Sequence, residues 1–180
     1  YAPAGQSTRM IIGASGETDA EIMYTSAYFY KQFNMKRVYY SGYIPISYDS
    51  RLPSIGTEVP MLRENRLYQT DWLLRFYGFD IRELLNKEHP NLDSDIDPKL
   101  SYALRNLHLF PVDVNKADKT MLARIPGVGM KSVNKIVHAR RFRKLNWEHL
   151  KAIGIAMNRA QYFMVCDSRD FERKDRTAAQ

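Results

Sequence analysis

The spacing of apolar residues predicts a strand, a helix and a second strand at the start of the chain. Residues 8–13 and 36–42 are short apolar runs, and a helix capped by Thr18 or Asp19 is expected between them, ending near Phe33. Its expected buried face carries Ile22, Ser26, Phe29 and Phe33. This order predicts a right-handed crossover with parallel strands. Because two such strands cannot bury both faces, we expect later helices, a second copy of the chain or missing sheet strands to cover them.

Helical spacing returns after residues 43–60, a long loop marked by prolines. Residues 62–77 predict a strong helix, and its expected buried stripe is Leu67, Leu74 and Trp72. Two shorter helices are expected, one from Asp80 to about Lys87 and one from Pro98 to Asn106.

Two polar groups in this half are candidate ligand contacts. The turn Gly13-Ala14-Ser15-Gly16-Glu17 joins a predicted strand to a predicted helix, where α/β proteins bind small anionic or polar ligands, although many such turns are only structural. The helix at 62–77 carries a second group beside its apolar stripe: Arg63, Glu64, Arg66 and Gln69. These four either line a pocket for a phosphate or carboxylate or form a solvated face with internal ion pairs.

Residues 114–141 predict two helices joined by a tight hairpin. Asn115 is a suitable N-cap for a first helix that ends near Arg124, and Pro126 prevents its continuation. Gly127 and Gly129 give the backbone freedom that a hairpin needs. A second helix is expected from about Met130, and its buried face would carry Val133, Ile136 and Val137.

The start of that second helix is a candidate phosphate site. Its first amides have no partner inside the helix, the dipole adds positive charge there, and glycines let a phosphate approach closely. Binding of this kind contacts one nucleic-acid backbone without reading bases. The residues predicted to bind DNA are Gly127, Val128, Gly129, Met130, Lys131, Ser132, Lys135, Arg140 and Arg159.

The distribution of charge supports a polyanionic partner. The formal net charge is +7, and residues 111–164 carry 11 Lys and Arg against 3 Asp and Glu, whereas residues 1–110 carry 12 against 13. A face that only kept the protein soluble would spread its charge more evenly. The basic excess therefore favours nucleic acid at the hairpin.

Other features of composition exclude several classes. No apolar run approaches the length of a membrane span, and the first ten residues lack a secretory signal, so we expect a cytoplasmic protein with no membrane partner. The single cysteine, Cys166, excludes an internal disulfide, and the four histidines are scattered. We therefore expect no metal site or cofactor in this chain.

The hairpin carries a family resemblance. Ile125-Pro126-Gly127-Val128-Gly129 followed by Lys131 resembles the helix-hairpin-helix motif of DNA repair and DNA uptake proteins, and the lead-in VDVNKA is similar to that of competence-type DNA receptors. Val133 departs from it, because the family often has Ala there. A degenerate second copy follows at 145–157, in which Ala156 replaces the second glycine and packing is the expected main role. The alternative is that the first hairpin is only a scaffold.

A larger resemblance covers nearly the whole chain. The strings QSTRMIIGASGETDAEIM, RVYYSGYIP, LRENRLYQTDWLLRFYGF and FPVDVNKADKTMLARIPGVG are similar to the C-terminal half of a radical S-adenosylmethionine family of DNA modification or repair proteins. The resemblance implies a partial TIM-type barrel with a 4Fe-4S cluster and S-adenosylmethionine. The cofactor would then lie near Gly13, Ser15, Gly16 and Glu17.

One departure decides what this chain can do by itself. That cluster needs three cysteine thiolates, and only Cys166 is present. We expect this chain to be inactive alone, and its start at Tyr1 suggests a fragment whose cluster-binding half is absent. Cluster and cofactor would then belong to the parent protein, and catalytic residues remain unassigned.

The sequence thus predicts an α/β N-terminal part, a remnant of a partial TIM-type barrel, followed by an all-α helix-hairpin-helix domain. The expected divisions are 1–60, a helical connector at 61–110, the DNA-binding domain at 111–164 and a charged tail at 165–180. The leading hypothesis is sequence-independent DNA binding, and the alternative is a piece of a radical S-adenosylmethionine enzyme. A helix-hairpin-helix glycosylase is a third, disfavoured because no Asp lies between Gly129 and Asn146.

Overall fold

The computed structural model describes residues 3–166. The chain is mixed α/β, with short strands and a larger share of helix, and it divides into two compact units, Tyr1–Pro98 and Lys99–Gln180. Residues 167–180, which form nearly all of the predicted charged tail, lie outside the described residues. Among the described residues, no helix combines the length and apolarity that crossing a membrane requires.

The first unit begins with the predicted strand, helix and strand. These are β1 (Ser7–Ile12), α1 (Asp19–Phe33) and β2 (Arg37–Gly42), followed by α2 (Met61–Tyr77) and α3 (Ile81–Leu84). The two strands are parallel, in register from Ser7 opposite Arg37 to Ile12 opposite Gly42. The prediction of a parallel pair is confirmed. Residues 43–60 contain no helix or strand, as the prolines predict.

Local sequence explains where α1 begins and ends. The Thr18 side chain accepts a hydrogen bond from the Glu21 amide, and the Glu21 carboxylate accepts one from the Thr18 amide, which forms a capping box. Asn34 ends the helix in the left-handed conformation at φ 48°. Ile22, Met23 and Ser26 are buried, but Phe33 is exposed, so its prediction as a core residue is wrong.

The core of α2 differs from the predicted stripe. Leu67 and Leu73 are buried and Leu74 is half-buried, whereas Trp72 is 53% exposed, so its prediction as a buried residue is wrong. Trp72 instead contacts Phe76 one turn later, with ring centroids 4.4 Å apart and ring planes tilted by 52°. Consecutive helical residues lie on different faces, and packing buries Leu73 and leaves Trp72 at the surface.

Side chains close the outer edge of β2. The amides of Val38 and Tyr40 donate to the hydroxyls of Tyr30 and Tyr68, each at 3.0 Å. The Gly42 amide donates to the Glu64 carboxylate at 3.0 Å. These groups satisfy strand amides that would otherwise invite another strand. Burial and the hydrogen bond to Asp71 raise the pKa of Tyr30, so this hydroxyl stays neutral and serves as both donor and acceptor.

The two faces of the β1–β2 sheet are unlike. One face buries Ile12, Val38 and Tyr40 beneath α1, whose Ser26 hydroxyl accepts a hydrogen bond from Tyr40 at 2.9 Å. On the other face Ile11 is 52% exposed and Tyr39 is exposed under the Arg37 guanidinium. The expectation that a second copy or missing strands cover this face stays a prediction.

Up to Cys166, where the described residues end, the second unit is helical apart from one short strand pair. Its elements are α4 (Pro98–Arg105), a 3-10 turn (Leu107–Leu109), β3 (Val112–Asp113), α5 (Lys119–Arg124), α6 (Met130–Ala139), α7 (Trp147–Ile153), α8 (Met157–Ala160) and β4 (Met164–Val165). β3 and β4 are parallel, with Val112 opposite Met164. The all-α expectation is therefore wrong in this respect. Two residues per strand are too few for a sequence pattern to reveal.

Asn115 does not cap a helix, so that prediction is wrong. α5 begins four residues later, where the Asp118 carboxylate accepts a hydrogen bond from the Met121 amide at 2.7 Å. The Asn115 amide nitrogen instead donates to the carbonyls of Leu145 and Cys166, and its oxygen accepts from the Leu145 amide at 2.8 Å. One side chain thereby joins three separate segments of the unit.

Candidate nucleic-acid interface

A five-residue hairpin, Ile125–Gly129, joins α5 to α6 and is the centre of the candidate site. The Ile125 amide donates to the Leu122 carbonyl at the end of α5, and the Val128 amide then donates to the Ile125 carbonyl at 3.1 Å. Ile125 and Val128 are buried. Their side chains anchor the hairpin in the core, while Gly129 becomes the N-cap residue of α6 with extended backbone at φ −86°.

Gly127 has a packing role that the sequence did not predict. It adopts φ +83°, and a Cβ placed there would lie 2.9 Å from the carbonyl oxygen of Ala156 and 3.2 Å from the amide nitrogen of Ala160. The Ala156 amide also donates to the Gly127 carbonyl at 3.3 Å. Gly127 therefore lets the two hairpins touch, which differs from admitting a phosphate.

The first amides of α6 are open. The first backbone hydrogen bond of the helix runs from the Val133 amide to the Gly129 carbonyl at 2.9 Å. No group among residues 3–166 accepts a hydrogen bond from the amides of Met130, Lys131 and Ser132, and the N-cap glycine has no side chain to serve them. Lys131 is exposed and Met130 and Ser132 are half-buried, so this turn lies at the surface of the unit. Such amides form an anion site.

A buried lysine, Lys99, donates a hydrogen bond to the hairpin backbone. The ammonium group of Lys99, in α4, donates to the Val128 carbonyl at 2.7 Å, and this residue is only 8% exposed. The contact fixes the peptide that precedes Gly129 and adds positive charge behind the open amides. Sequence reasoning missed Lys99 because it lies in another helix, 29 residues from its partner.

The remaining predicted cations differ in their surroundings. The Lys135 ammonium donates to the Ile153 carbonyl at the end of α7, at 3.2 Å, yet the residue is exposed. The Arg140 guanidinium donates to the carbonyls of Val114 and Ala117, at 3.1 and 2.6 Å, so this side chain already makes hydrogen bonds within the unit. Arg159 is exposed on α8, and its Cβ lies against the Gly127 position. Lys131 is the predicted cation nearest to the open amides along the chain.

The second hairpin packs against the first. Asn146 caps α7 with a capping box, and Gly154 ends it in the left-handed region at φ +90°. Ile155 and Ala160 are buried. Ala156 stands where the first hairpin has Gly129, and the helix that follows has only four residues. This hairpin provides a packing surface for Gly127, in line with the packing role expected for it.

The Glu17 side chain accepts hydrogen bonds from the donor groups of the turn between β1 and α1. Its carboxylate accepts hydrogen bonds from the Gly13 amide at 2.7 Å and from the Ser15 hydroxyl. Burial raises the pKa of Glu17, but these hydrogen bonds and the Arg63 guanidinium 3.6 Å away outweigh it and hold the pKa below its usual value. The turn predicted to bind a cofactor through Gly13, Ser15, Gly16 and Glu17 thus binds its own carboxylate.

A cavity of about 530 Å³ lies beside that turn. Two of the four polar α2 residues reach it, and both make internal contacts. The Arg63 guanidinium pairs with Asp19 at 2.6 Å, and Arg66 donates to the carbonyls of Asp93 and Ser94. Glu64 closes the β2 edge and Gln69 accepts from Arg66. Internal pairing is thus what the structure shows for this set.

The donor set does not fit an iron-sulfur cluster. A 4Fe-4S cluster with an exchangeable site needs three thiolates, and the chain has one cysteine, the buried Cys166. Within the part of the chain that the structure describes, no three His, Cys, Asp or Glu side chains lie together as a metal site would need.

Comparisons with known proteins add no assignment. No protein-family profile, no curated protein and no solved structure matches the chain. The geometry of the α6 amides and the distribution of charge are therefore the observations that bear on function.

Proposed function

We propose that this chain binds DNA independently of sequence, through the amides at the start of α6. The observation that carries the proposal is the open turn of Met130, Lys131 and Ser132, next to a hairpin backed by the Lys99 ammonium. A backbone phosphate supplies the negative charge and the acceptor oxygens that these groups need. Because the contacts reach phosphate and not base edges, they carry no sequence information.

The charge around the turn supports a polyanion over a small anion. No Asp or Glu lies between Asp118 and Glu148, a stretch that contains both hairpin helices. Its exposed cations are Lys119, Lys131, Lys135, Arg141, Arg143 and Lys144. A single phosphate or carboxylate would use only the first turn of α6, whereas a nucleic-acid strand can follow the rest of this surface.

We further propose that the second unit has helix-hairpin-helix architecture. α5, α6, α7 and α8 would form a pair of such units, in which the first binds phosphate and the second packs against Gly127. The resemblance of Ile125–Gly129 to the repair and uptake motif supports this assignment. We place the chain, on the same resemblance, in a DNA repair or modification protein.

Met130→Pro tests the amides directly. Proline is favoured at the first position of a helix, and Gly129, with extended backbone at φ −86° and ψ 160°, already suits the residue before a proline. The substitution therefore removes one open amide and leaves α6 in place. We expect the affinity for two unrelated duplexes, measured by fluorescence anisotropy, to fall about tenfold or more, the loss of one charge-assisted hydrogen bond.

Met130→Ala is the matched control, because it removes the same side chain and keeps the amide.

Wild-type affinity for the two duplexes should be similar and should fall steeply as salt rises. Circular dichroism checks that both variants keep their helices. Equal binding by Met130→Pro and Met130→Ala would remove the amide site, and no wild-type binding at low salt would end the proposal.

A part in a larger radical S-adenosylmethionine protein is the second proposal. The observation that favours it is the open sheet face with Ile11 and Tyr39, which further barrel strands would cover. Its test is the reading frame upstream of the chain. A three-cysteine motif there supports the assignment, and a continuous frame without one removes it.

A further inference from the structure

An exposed aromatic side chain lies just beyond the far end of α6. Phe142 is 77% exposed, although a phenylalanine in a folded protein is ordinarily buried. It follows the last helical residue, Ala139, by three positions and the last of the open amides, that of Ser132, by ten. At 1.5 Å per residue the two features lie roughly 15 Å apart along the helix axis.

Backbone and ring contacts hold Phe142 in place. The amides of Arg141 and Phe142 donate to the carbonyls of His138 and Ala139, at 3.3 and 3.1 Å, and continue the helical turn. The Phe142 ring meets the His138 ring edge to face, with centroids 5.3 Å apart. An exposed ring that is already oriented loses little conformational entropy when it stacks on a ligand.

The residues around the ring indicate the chemistry of its partner. Phe142 stands within Arg140-Arg141-Phe142-Arg143-Lys144, and Arg141, Arg143 and Lys144 are exposed. A cationic rim repels basic surfaces and attracts a polyanion. A ring on such a rim suits the π-face of a nucleic-acid base.

We propose that Phe142 stacks on an unpaired base of DNA whose phosphate is held by the α6 amides. This inference rests on the proposed function and adds a preference to it: single-stranded or gapped DNA binds more tightly than intact duplex. An intact duplex hides its base faces in the stack, so the ring finds none there without the cost of unstacking. At the 3.4 Å rise of a strand that keeps its duplex stacking, roughly 15 Å covers about four nucleotides.

The test compares three DNAs: a twelve-nucleotide single strand, a duplex with a four-nucleotide gap and an intact duplex. For Phe142→Ala we expect the affinity for the first two to fall about tenfold, the scale of one lost base stack, with intact duplex binding unchanged. Phe142→Trp should keep the preference. A 2-aminopurine base placed in the four-nucleotide gap should lose fluorescence on binding, and Phe142→Ala should abolish that loss.

Tyr162→Ala is the matched control, because Tyr162 is an aromatic residue of the same unit with similar exposure, 72%. It should bind all three DNAs like the wild type. If Phe142→Ala binds all three unchanged, or loses affinity equally for all three, the stacking inference is overturned while Met130→Pro still reports on the amide site. If the wild type binds no DNA at low salt, the proposed function itself has failed.

Discussion

Gly127 shows how one residue can serve a different purpose from the one its motif indicates. The hairpin sequence assigns its glycine to phosphate approach, whereas the structure places its Cα against the backbone of Ala156 and Ala160. A side chain at this position meets two obstacles, a left-handed φ of +83° and a backbone oxygen that cannot move aside without shifting α8.

Gly127→Ala should lower the free energy of unfolding by about 3 kcal/mol, the sum of left-handed strain and a backbone clash. Gly154→Ala isolates the first contribution, because Gly154 also has positive φ, +90°, and open space around it. We expect that control to cost about 1 kcal/mol. Urea titration of both variants measures the difference, and equal losses would show that the contact between the hairpins does not matter.

At the scale of an element, helix α6 has two ends with different chemistry. Its N-terminal turn offers open amides behind Lys131, and its C-terminal end leads to Phe142 in a basic segment. Between them Val133 and Ile136 are buried, so the helix is fixed in the unit along one side. Under the proposed function, the two ends would contact one DNA strand as parts of one helix.

The turn before α1 is an element whose stability should depend on pH. The pKa of Glu17 is below its usual value in the folded protein, so its stabilisation is present above the unfolded pKa of about 4.3 and is lost as the pH falls through the folded pKa. Glu17→Gln should cost about 1 kcal/mol at pH 7, because Gln keeps one acceptor but no charge. The gap between variant and wild type should close toward pH 3.

Thermal unfolding at several pH values measures that gap. Glu88→Gln is a suitable control, because Glu88 is exposed and its replacement should change neither stability nor pH dependence. A gap that stays constant from pH 7 to pH 3 would mean that the Glu17 charge does not stabilise the turn.

At the scale of the whole molecule, the two units differ in charge. Residues 1–98 carry 10 Lys and Arg against 13 Asp and Glu, and residues 99–180 carry 17 against 7. Under the proposed function, this difference in charge assigns the DNA affinity to the second unit. The open amides, Lys99 and Phe142 all lie in that part of the chain.

A chain of residues 95–180, which keeps the start of α4, should bind duplex DNA within about threefold of the full chain, since phosphate contacts dominate affinity. Residues 3–98 should show no binding at the same salt. Anisotropy on both fragments, with circular dichroism as the check on folding, tests this. A folded 95–180 fragment without affinity would place the DNA contact elsewhere.

The sequence by itself determined the order of the main elements and the position of the hairpin. Apolar period, the Thr18 and Asp80 caps, and Pro126 with its glycines are local signals, because each acts within one or two turns of chain. The basic excess at residues 111–164 is likewise visible without coordinates.

Only the tertiary structure decided which distant residue each of these side chains and glycines contacts. Asn115 joins Leu145 and Cys166 instead of capping α5, Lys99 reaches Val128, and Gly127 receives Ala156. Each of these contacts joins residues 29 to 51 positions apart. A local sequence pattern cannot show which distant residues the fold brings into contact. Packing also exposed Trp72 and Phe142, since helical period ranks faces and cannot say which face finds a neighbour.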